Sequence, residues 1–190
     1  YEGYCNKHHP SYEPSICDKS LSNQKETDGI KLLISLLGKD FPYNIIKNCE
    51  FAPADLLANK KGTKISDDLN SMYKGIQIKT SSVRKDPLNN PIVSFGGTNN
   101  YNNMLIIGIC VSKERLWFFN GSDIKVTEIR IYLNKNTKSK YKKYEIEKEK
   151  VREELFKWLD DDERLPYKTY EYLSKPKSKN QQKEFYTFRN

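Results

Sequence analysis

The sequence predicts a mixed α/β domain in which a mixed central sheet is flanked by helices. Two observations support this fold class: a helical pattern precedes a series of short apolar, strand-like runs, and a second helical pattern follows them. The 190 residues suffice for one ordinary hydrophobic core. We therefore expect one principal domain over residues 21–160, an N-terminal arm over 1–20 and a basic, aromatic extension over 161–190.

The first predicted helix is amphipathic. Its apolar residues, at the spacing i, i+3, i+4, i+7, are Ile30, Leu33, Ile34 and Leu37. Ser20 or Ser22 can cap its N-terminus, and Gly38 ends it. One turn before Ile30 the same stripe reaches Glu26, which places a carboxylate on the side of the helix that faces the core. A charged group at such a position needs a reason, because charged side chains are seldom buried.

Strand-like runs occupy the middle of the chain. They cover residues 44–51, 54–58, 73–80, 92–95, 104–111, 115–119 and 124–133. The run 104–111 is the most apolar segment, so it is predicted to lie at the centre of the sheet together with 115–119. Prolines and a glycine pair predict an extended loop over 83–100, around the run 92–95.

A second helix is predicted over residues 144–159, after a lysine-rich solvated connection over 134–143. Its apolar stripe consists of Val151, Leu155, Trp158 and Leu159. The helix ends at the acidic run 160–163, which lies at the unfavourable end of the helix dipole.

Composition favours a polyanionic partner. Lys and Arg number 33 against 25 Asp and Glu, which gives a formal net charge of +8. Lys, Asn and Tyr are abundant, as in proteins of AT-rich genomes, so coding bias can account for part of this charge. No apolar run approaches the ~20 residues of a membrane span, and no signal-peptide pattern is found. We expect a soluble protein, and the first residue, Tyr1, is typical of a fragment of a longer chain.

Polar residues of the third strand-like run are candidates for an active site. Ile76 and Ile78 point to one face of the sheet, while Gln77 and Lys79 point to the other. Asp55 opens the preceding run. Phosphodiester cleavage needs a hard cation, which oxygen ligands can hold. A lysine two residues beyond a ligand can return its ammonium to the phosphate because its stem is long.

With Glu26 on the preceding helix, this order resembles the PD-(D/E)XK nuclease superfamily. The resemblance covers about residues 22–120. It rests on the strings Pro53-Ala-Asp-Leu-Leu57 and Gly75-Ile-Gln-Ile-Lys-Thr-Ser-Ser82 in an α-β-β-β order. It implies a restriction-endonuclease-like core and a metal-dependent endonuclease that hydrolyses DNA with Mg²⁺ or Mn²⁺.

Carried over to this chain, the resemblance implies Asp55 as a metal ligand, Gln77 in the place of the second ligand and Lys79 as the catalytic lysine. The chain departs from the family at Gln77, where an amide replaces the usual acid and offers only a neutral oxygen. It is similar to the Q-x-K variant of some members, in which a glutamate on the first helix supplies the missing charge. Glu26 is placed to do so. The departure leaves open an alternative, a catalytically inactive nuclease-fold domain that binds DNA or serves as a scaffold.

Hydroxyl and cationic residues follow the catalytic strand directly. Ser81, Ser82, Arg84 and Lys85 can hold DNA phosphates beside the metal, although a solvated loop is almost as consistent with them. Cutting both strands of a duplex would require a homodimer or two cooperating sites, and the sequence shows neither.

The cysteines allow two interpretations. The N-terminal arm contains ligand types of a structural Zn²⁺ site, namely Cys5, His8, His9 and Cys17. That set lacks a CxxC knuckle and a convincing fourth ligand, so an ordinary polar arm is the favoured interpretation. Cys49 and Cys110 lie in apolar runs and are predicted to be buried free thiols, as in an intracellular protein of the cytoplasm or nucleus.

Overall fold

The computed structural model describes residues 16–48, 54–62, 73–99, 101–134 and 139–161, with the side chains of the first helix described from residue 23. The helices are α1 Ile16–Leu37 and α2 Val151–Asp160. The strands are β1 Tyr43–Lys47, β2 Leu56–Lys60, β3 Lys74–Thr80, β4 Arg84–Lys85, β5 Pro91–Gly96, β6 Met104–Cys110, β7 Arg115–Asn120, β8 Glu128–Tyr132 and β9 Glu145–Ile146. Neither described helix combines the length and apolar character needed to cross a membrane.

The predicted mixed α/β fold with a mixed sheet is confirmed. Six strands in the order β1-β2-β3-β6-β7-β9 form the larger sheet, and β4-β5-β8 form a smaller one. In the larger sheet β3 and β6 are parallel, and the other neighbouring pairs are antiparallel. The parallel pair is central, as predicted for the apolar run 104–111, and all of β6 is buried.

The two faces of the larger sheet are covered by different elements. On one face the helices pack on the sheet in a cluster that includes Leu33, Leu37, Ile76, Ile78, Leu155 and Trp158. On the other face the smaller sheet packs, with Phe95 in contact with Trp117 at a ring-centroid distance of 5.6 Å. Among the described residues the helices therefore cover one face only, and a second sheet, which was not predicted, covers the other.

The first helix starts earlier than predicted. It begins at Ile16, so Ser20 and Ser22 lie inside α1 and do not cap it, and the boundary expected between residues 20 and 21 falls within the helix. Gly38 ends the helix as predicted, because its φ of 72° is left-handed and its N–H bonds to the Ile34 carbonyl at 3.3 Å.

Several other element boundaries were wrong. β1 ends at Lys47, and the remainder of the run 44–51 from residue 49 lies outside the described residues. The run 124–133 forms a strand only over Glu128–Tyr132. The second helix begins at Val151, because residues 145–146 pair instead with the edge of β7. The apolar stripe predicted for that helix is buried, as expected.

The packing of α1 predicts a contrast between two adjacent residues. Leu33 is fully buried, whereas Ile34, expected in the same stripe, exposes 42% of its surface. We expect Leu33→Ala to lower the free energy of unfolding by about 2–4 kcal/mol through lost burial and a cavity. Ile34→Ala should cost less than about 1 kcal/mol. Denaturant unfolding of both variants measures the contrast, and equal losses would contradict this orientation of α1.

Candidate active site

The candidate site forms where β3 continues past the start of β2. These strands pair with Leu56 opposite Ile76. One step further along the antiparallel register, Asp55 lies opposite Gln77, since partner numbers change in opposite directions. Directly opposed residues project to the same face, so both side chains lie on the face opposite Ile76. The alternation expected for this strand is present.

The Asp55 side chain hydrogen-bonds to β3 at the point where the pairing of β3 with β2 has ended. Its Oδ2 accepts a hydrogen bond from the Ile78 backbone N–H at 2.7 Å and another from the Gln77 amide. The same Gln77 Nε2 donates to the Ile78 carbonyl oxygen at 3.2 Å. The N–H and C=O of one strand residue point to the same side, so Ile78 presents both groups beyond the start of β2. Two oxygens, from Asp55 and Ile78, therefore converge on one donor.

Lys79 lies two residues beyond Gln77 on the same face, and Tyr101 holds its ammonium. The Lys79 Nζ donates to the Tyr101 Oη at 3.0 Å. Gly97, with a left-handed φ of 62°, brings backbone beside the ammonium, since a Cβ at that position would lie 3.8 Å from the Lys79 Nζ. The hydrogen bond to Tyr101 restricts the Lys79 side chain, which would otherwise have many rotamers.

Tyr101 is a site residue that the sequence analysis missed. It lies just before β6, and its ring packs partly buried beside Ala54 and Met104. β3 and β6 pair in parallel across a long connection. Local periodicity carries no signal for such a contact. A tyrosine at the entry to the most apolar run was the only available clue.

Glu26 brings a second carboxylate to the site. Burial raises the pKa of Asp55 from 3.8 to about 6; the Ile78 N–H lowers it, the negative charge of Glu26 raises it again, and Lys79 and the Gln77 amide lower it. The electrostatic effect of Glu26, a half-buried residue of α1, places its carboxylate near Asp55. Two carboxylates that repel each other in a partly buried site would be stabilised by a bound cation.

The structure thus brings Asp55 and Gln77 into contact, places Lys79 two residues further along the same strand, and brings Glu26 close enough to act electrostatically on Asp55. The donors fit a hard divalent cation, because carboxylate, amide and carbonyl oxygens are the ligands that Mg²⁺ and Mn²⁺ prefer. Rotation of the Gln77 amide about its last torsion would replace Nε2 by Oε1 at the point where the oxygens of Asp55 and Ile78 converge. The described residues contain no group of three or more His, Cys, Asp or Glu suited to a metal.

The residues predicted to bind DNA have structural contacts of their own. The Ser81 Oγ accepts from the Ser94 N–H at 3.0 Å, which ties the end of β3 to β5. Arg84 pairs with a carboxylate of β8 at 3.0 Å. Ser82 and Lys85 are exposed. The hydroxyl of Ser81 is therefore engaged between the two sheets, while the other three side chains reach the surface.

The predicted zinc ligands are not described by the structure. Cys5, His8 and His9 lie outside the described residues, and Cys17 lies in the part of α1 without described side chains. Cys110 is a buried free thiol, as predicted, and Cys49 lies outside the described residues.

The raised pKa of Asp55 predicts a pH dependence of stability without metal. The folded protein keeps this proton up to about pH 6, whereas the unfolded chain loses it near pH 3.8. Between these values the folded state binds more protons, so the free energy of unfolding falls as pH rises, by at most about 3 kcal/mol. Thermal unfolding from about pH 4 to 7 in a chelator measures this fall, which Asp55→Asn should remove; identical profiles would contradict the assignment.

Comparison with known proteins gives limited similarity. No protein-family model matches the chain, and no curated protein matches it significantly. Among solved structures, the chain is similar to one described as a bacterial homing endonuclease, with a TM-score of 0.48 and 15% identity over 80% of this chain and 99% of that chain. A likeness of this size does not establish a shared fold or function, so the site geometry must support any functional conclusion.

Proposed function

We propose that this chain is a metal-dependent nuclease that hydrolyses DNA phosphodiester bonds, with a restriction-endonuclease-like core and a PD-(D/E)XK site in its Q-x-K form. The observation that carries the proposal is the convergence of Asp55 and Gln77 at the junction of β2 and β3, with Lys79 on the same face. Also in its support, α1 precedes β1, β2 and β3, in the element order of that family. The excess of cationic residues suits a nucleic-acid substrate.

The residues of the site have distinct roles in this proposal. Asp55 and Glu26 supply the negative charge that holds Mg²⁺ or Mn²⁺, and Gln77 and the Ile78 carbonyl supply neutral oxygens. When bound, the cation neutralises charge on the phosphate and lowers the pKa of a coordinated water. Lys79 contacts the phosphate. Its ammonium is already ordered by Tyr101, so little rotamer freedom remains to be lost when the substrate arrives.

A non-cleaving DNA-binding or scaffold domain is the second candidate. The observation in its favour is that the Gln77 amide, only 5% exposed, donates to the Asp55 carboxylate. A neutral donor thereby satisfies that acid without a cation. Both candidates bind DNA, and only the nuclease cuts it.

Plasmid nicking separates the two candidates. We expect the parent protein to nick supercoiled plasmid with Mg²⁺ or Mn²⁺, and Asp55→Asn and Lys79→Ala to lose at least about 100-fold in rate. Lys60→Ala is the matched control, because Lys60 lies on β2 with its side chain 61% exposed and pairs with Asp160 away from the site. No nicking by the parent with either metal, or equal nicking by all four proteins, would overturn the proposal.

A further inference from the structure

The smaller sheet has one face on which only Arg84 has been assigned a role above, as a predicted contact to DNA phosphates. Its inner residues, which pack into the core, are Val93, Phe95, Ile129 and Ile131. The residues that alternate with these lie on the opposite side of the sheet, where Ile92 is also buried. Four of them define what we call the outer face: Arg84, Ser94, Glu128 and Arg130. The register places Ser94 directly opposite Arg130.

Two arginines of the outer face share one carboxylate. Arg84 donates from Nη2 to the Ser94 Oγ at 2.6 Å and to Glu128 Oε1 at 3.0 Å, and Arg130 donates from Nε to Glu128 Oε2 at 2.8 Å. Their side chains remain 53% and 63% exposed. The set keeps a net positive charge, and several N–H donors face solvent. Glu128 orders both guanidinium groups. Because exposed ion pairs add little stability, the arginines can leave Glu128 when a better hydrogen-bond acceptor binds.

The outer face begins beside the candidate active site. β5 ends at Gly96, and a Cβ built on the next residue, Gly97, would lie 3.8 Å from the Lys79 Nζ. The strand spans about 20 Å in extended form, which corresponds to roughly six steps of duplex DNA. A duplex whose phosphate lies at Lys79 can therefore run along this face for the length of β5.

The width of the face also fits a duplex groove. The arginines lie on β4 and β8, the two strands that flank β5. Adjacent strands are ~4.8 Å apart, so the arginine-bearing strands are separated by about 10 Å, close to the ~12 Å width of the major groove. The planar fork of arginine matches the O6 and N7 acceptors of guanine, a match that lysine cannot reproduce.

We propose that the outer face lies in the major groove of the DNA substrate and that Arg84 and Arg130 read base edges within about six base pairs of the cut. This inference takes the identity of the substrate from the proposed nuclease function and adds the element that recognises it. Ser94, which lies between the two arginines, orders the Arg84 fork. When DNA binds, the two arginines exchange their hydrogen bonds to Glu128 for hydrogen bonds to the base edges.

The turn at the far end of the face extends the same surface. Leu88, at its tip, is 81% exposed. The Asp86 carboxylate accepts from the Leu88 N–H at 2.9 Å and from the Asn90 N–H at 2.8 Å, so the tip is held by its own hydrogen bonds. An apolar side chain carried on this held backbone suits contact with a thymine methyl group.

Selection from a DNA library tests the inference. The probe is a pool of 30-base-pair duplexes with random sequence, bound in a chelator so that the parent protein cannot cleave. The variants are Arg84→Lys and Arg130→Lys, which keep the charge and remove the fork. Arg115→Lys is the matched control, because Arg115 also pairs with one carboxylate, Glu145, but on the larger sheet.

We expect the parent and Arg115→Lys to enrich the same guanine-containing sequence. Each outer-face variant should lose enrichment at its own base by about tenfold or more. Affinity for the random pool and its salt dependence should stay within about twofold, because the charge is unchanged. Unchanged enrichment in both variants, absence of any selected sequence, or preferential binding of single-stranded DNA or RNA would overturn the inference.

Failure of this inference is distinct from failure of the nuclease proposal. If the parent protein nicks plasmid and the arginine variants keep its sequence preference, the nuclease proposal stands and the proposal that the outer face reads the groove is wrong. A parent that never nicks, yet selects a sequence through Arg84 and Arg130, loses the nuclease function and keeps this face.

Discussion

Glu26→Gln is expected to reduce Mn²⁺ affinity by more than about 100-fold and to abolish cleavage, since even groups outside the first ligand sphere contribute that much in metal sites. The reason is the charge of the donor set. Asp55 and Glu26 are its only two acids, while Gln77 and the Ile78 carbonyl are neutral. Glutamine preserves the shape of the side chain and removes one of those charges. Isothermal titration of Mn²⁺ into the parent and the variant measures the loss directly.

Gln77→Glu is the opposite change and serves as the comparison. It adds a charged oxygen at nearly constant shape, so Mn²⁺ affinity should be preserved or raised and some cleavage kept. Without metal, the new carboxylate lies opposite Asp55 and replaces the amide that donates to it, so the melting temperature in a chelator should fall. Three flat and indistinguishable titrations of parent, Glu26→Gln and Gln77→Glu would eliminate the metal site.

The candidate site could be predicted because its geometry is local. The alternation of side chains along β3 separates Gln77 and Lys79 from Ile76, and a single antiparallel pairing brings Asp55 opposite Gln77. Glu26 follows from helical spacing one turn back from Ile30. Each of these relations spans one strand, one strand pair or one helix, where sequence periodicity is informative.

The smaller sheet could not be predicted, because two of its strands pair over a long separation in sequence. β5 and β8 pair across β6 and β7, and no spacing rule links residues so far apart in sequence. The same limit applies to β9, whose two residues have helix-compatible composition and are drawn to the edge of β7 by tertiary pairing. The start of α1 was also missed, because serines that could cap a helix lie inside it instead.

Burial of Gln77 was another outcome that alternation alone did not give. Alternation placed Gln77 on the polar face of its strand; the smaller sheet packs on that side of the larger sheet, and the side chain is 5% exposed. Its amide therefore needs partners, which Asp55 and the Ile78 carbonyl supply. The cover that buries this residue also lowers the local dielectric, which strengthens the interaction of the site with any cation.

Gly121→Ala is expected to produce the largest loss of stability among the single-methyl changes considered. A Cβ on Gly121 would lie 1.9 Å from the Tyr101 carbonyl oxygen and 2.9 Å from that of Met104. Both obstacles are backbone atoms, which cannot rotate away as a side chain would. Relief requires displacement of the segment before β6, at a cost of about 3–5 kcal/mol, which exceeds the ~1–3 kcal/mol usual for overpacked positions. For a chain of this size the melting temperature should fall by about 6–20 °C.

The same displacement should reach the candidate site, because the segment that moves carries Tyr101, whose hydroxyl holds the Lys79 ammonium. Nicking by Gly121→Ala, assayed well below its lowered melting temperature, should therefore fall by more than the loss of folded protein explains. Gly96→Ala is the matched control, since no atom lies within 4 Å of its Cβ position. We expect its melting temperature to match that of the parent. Equal melting temperatures for the Gly121 and Gly96 variants would show that the Tyr101 segment can yield, and an undiminished nicking rate in Gly121→Ala would show that Lys79 does not depend on Tyr101 for its position.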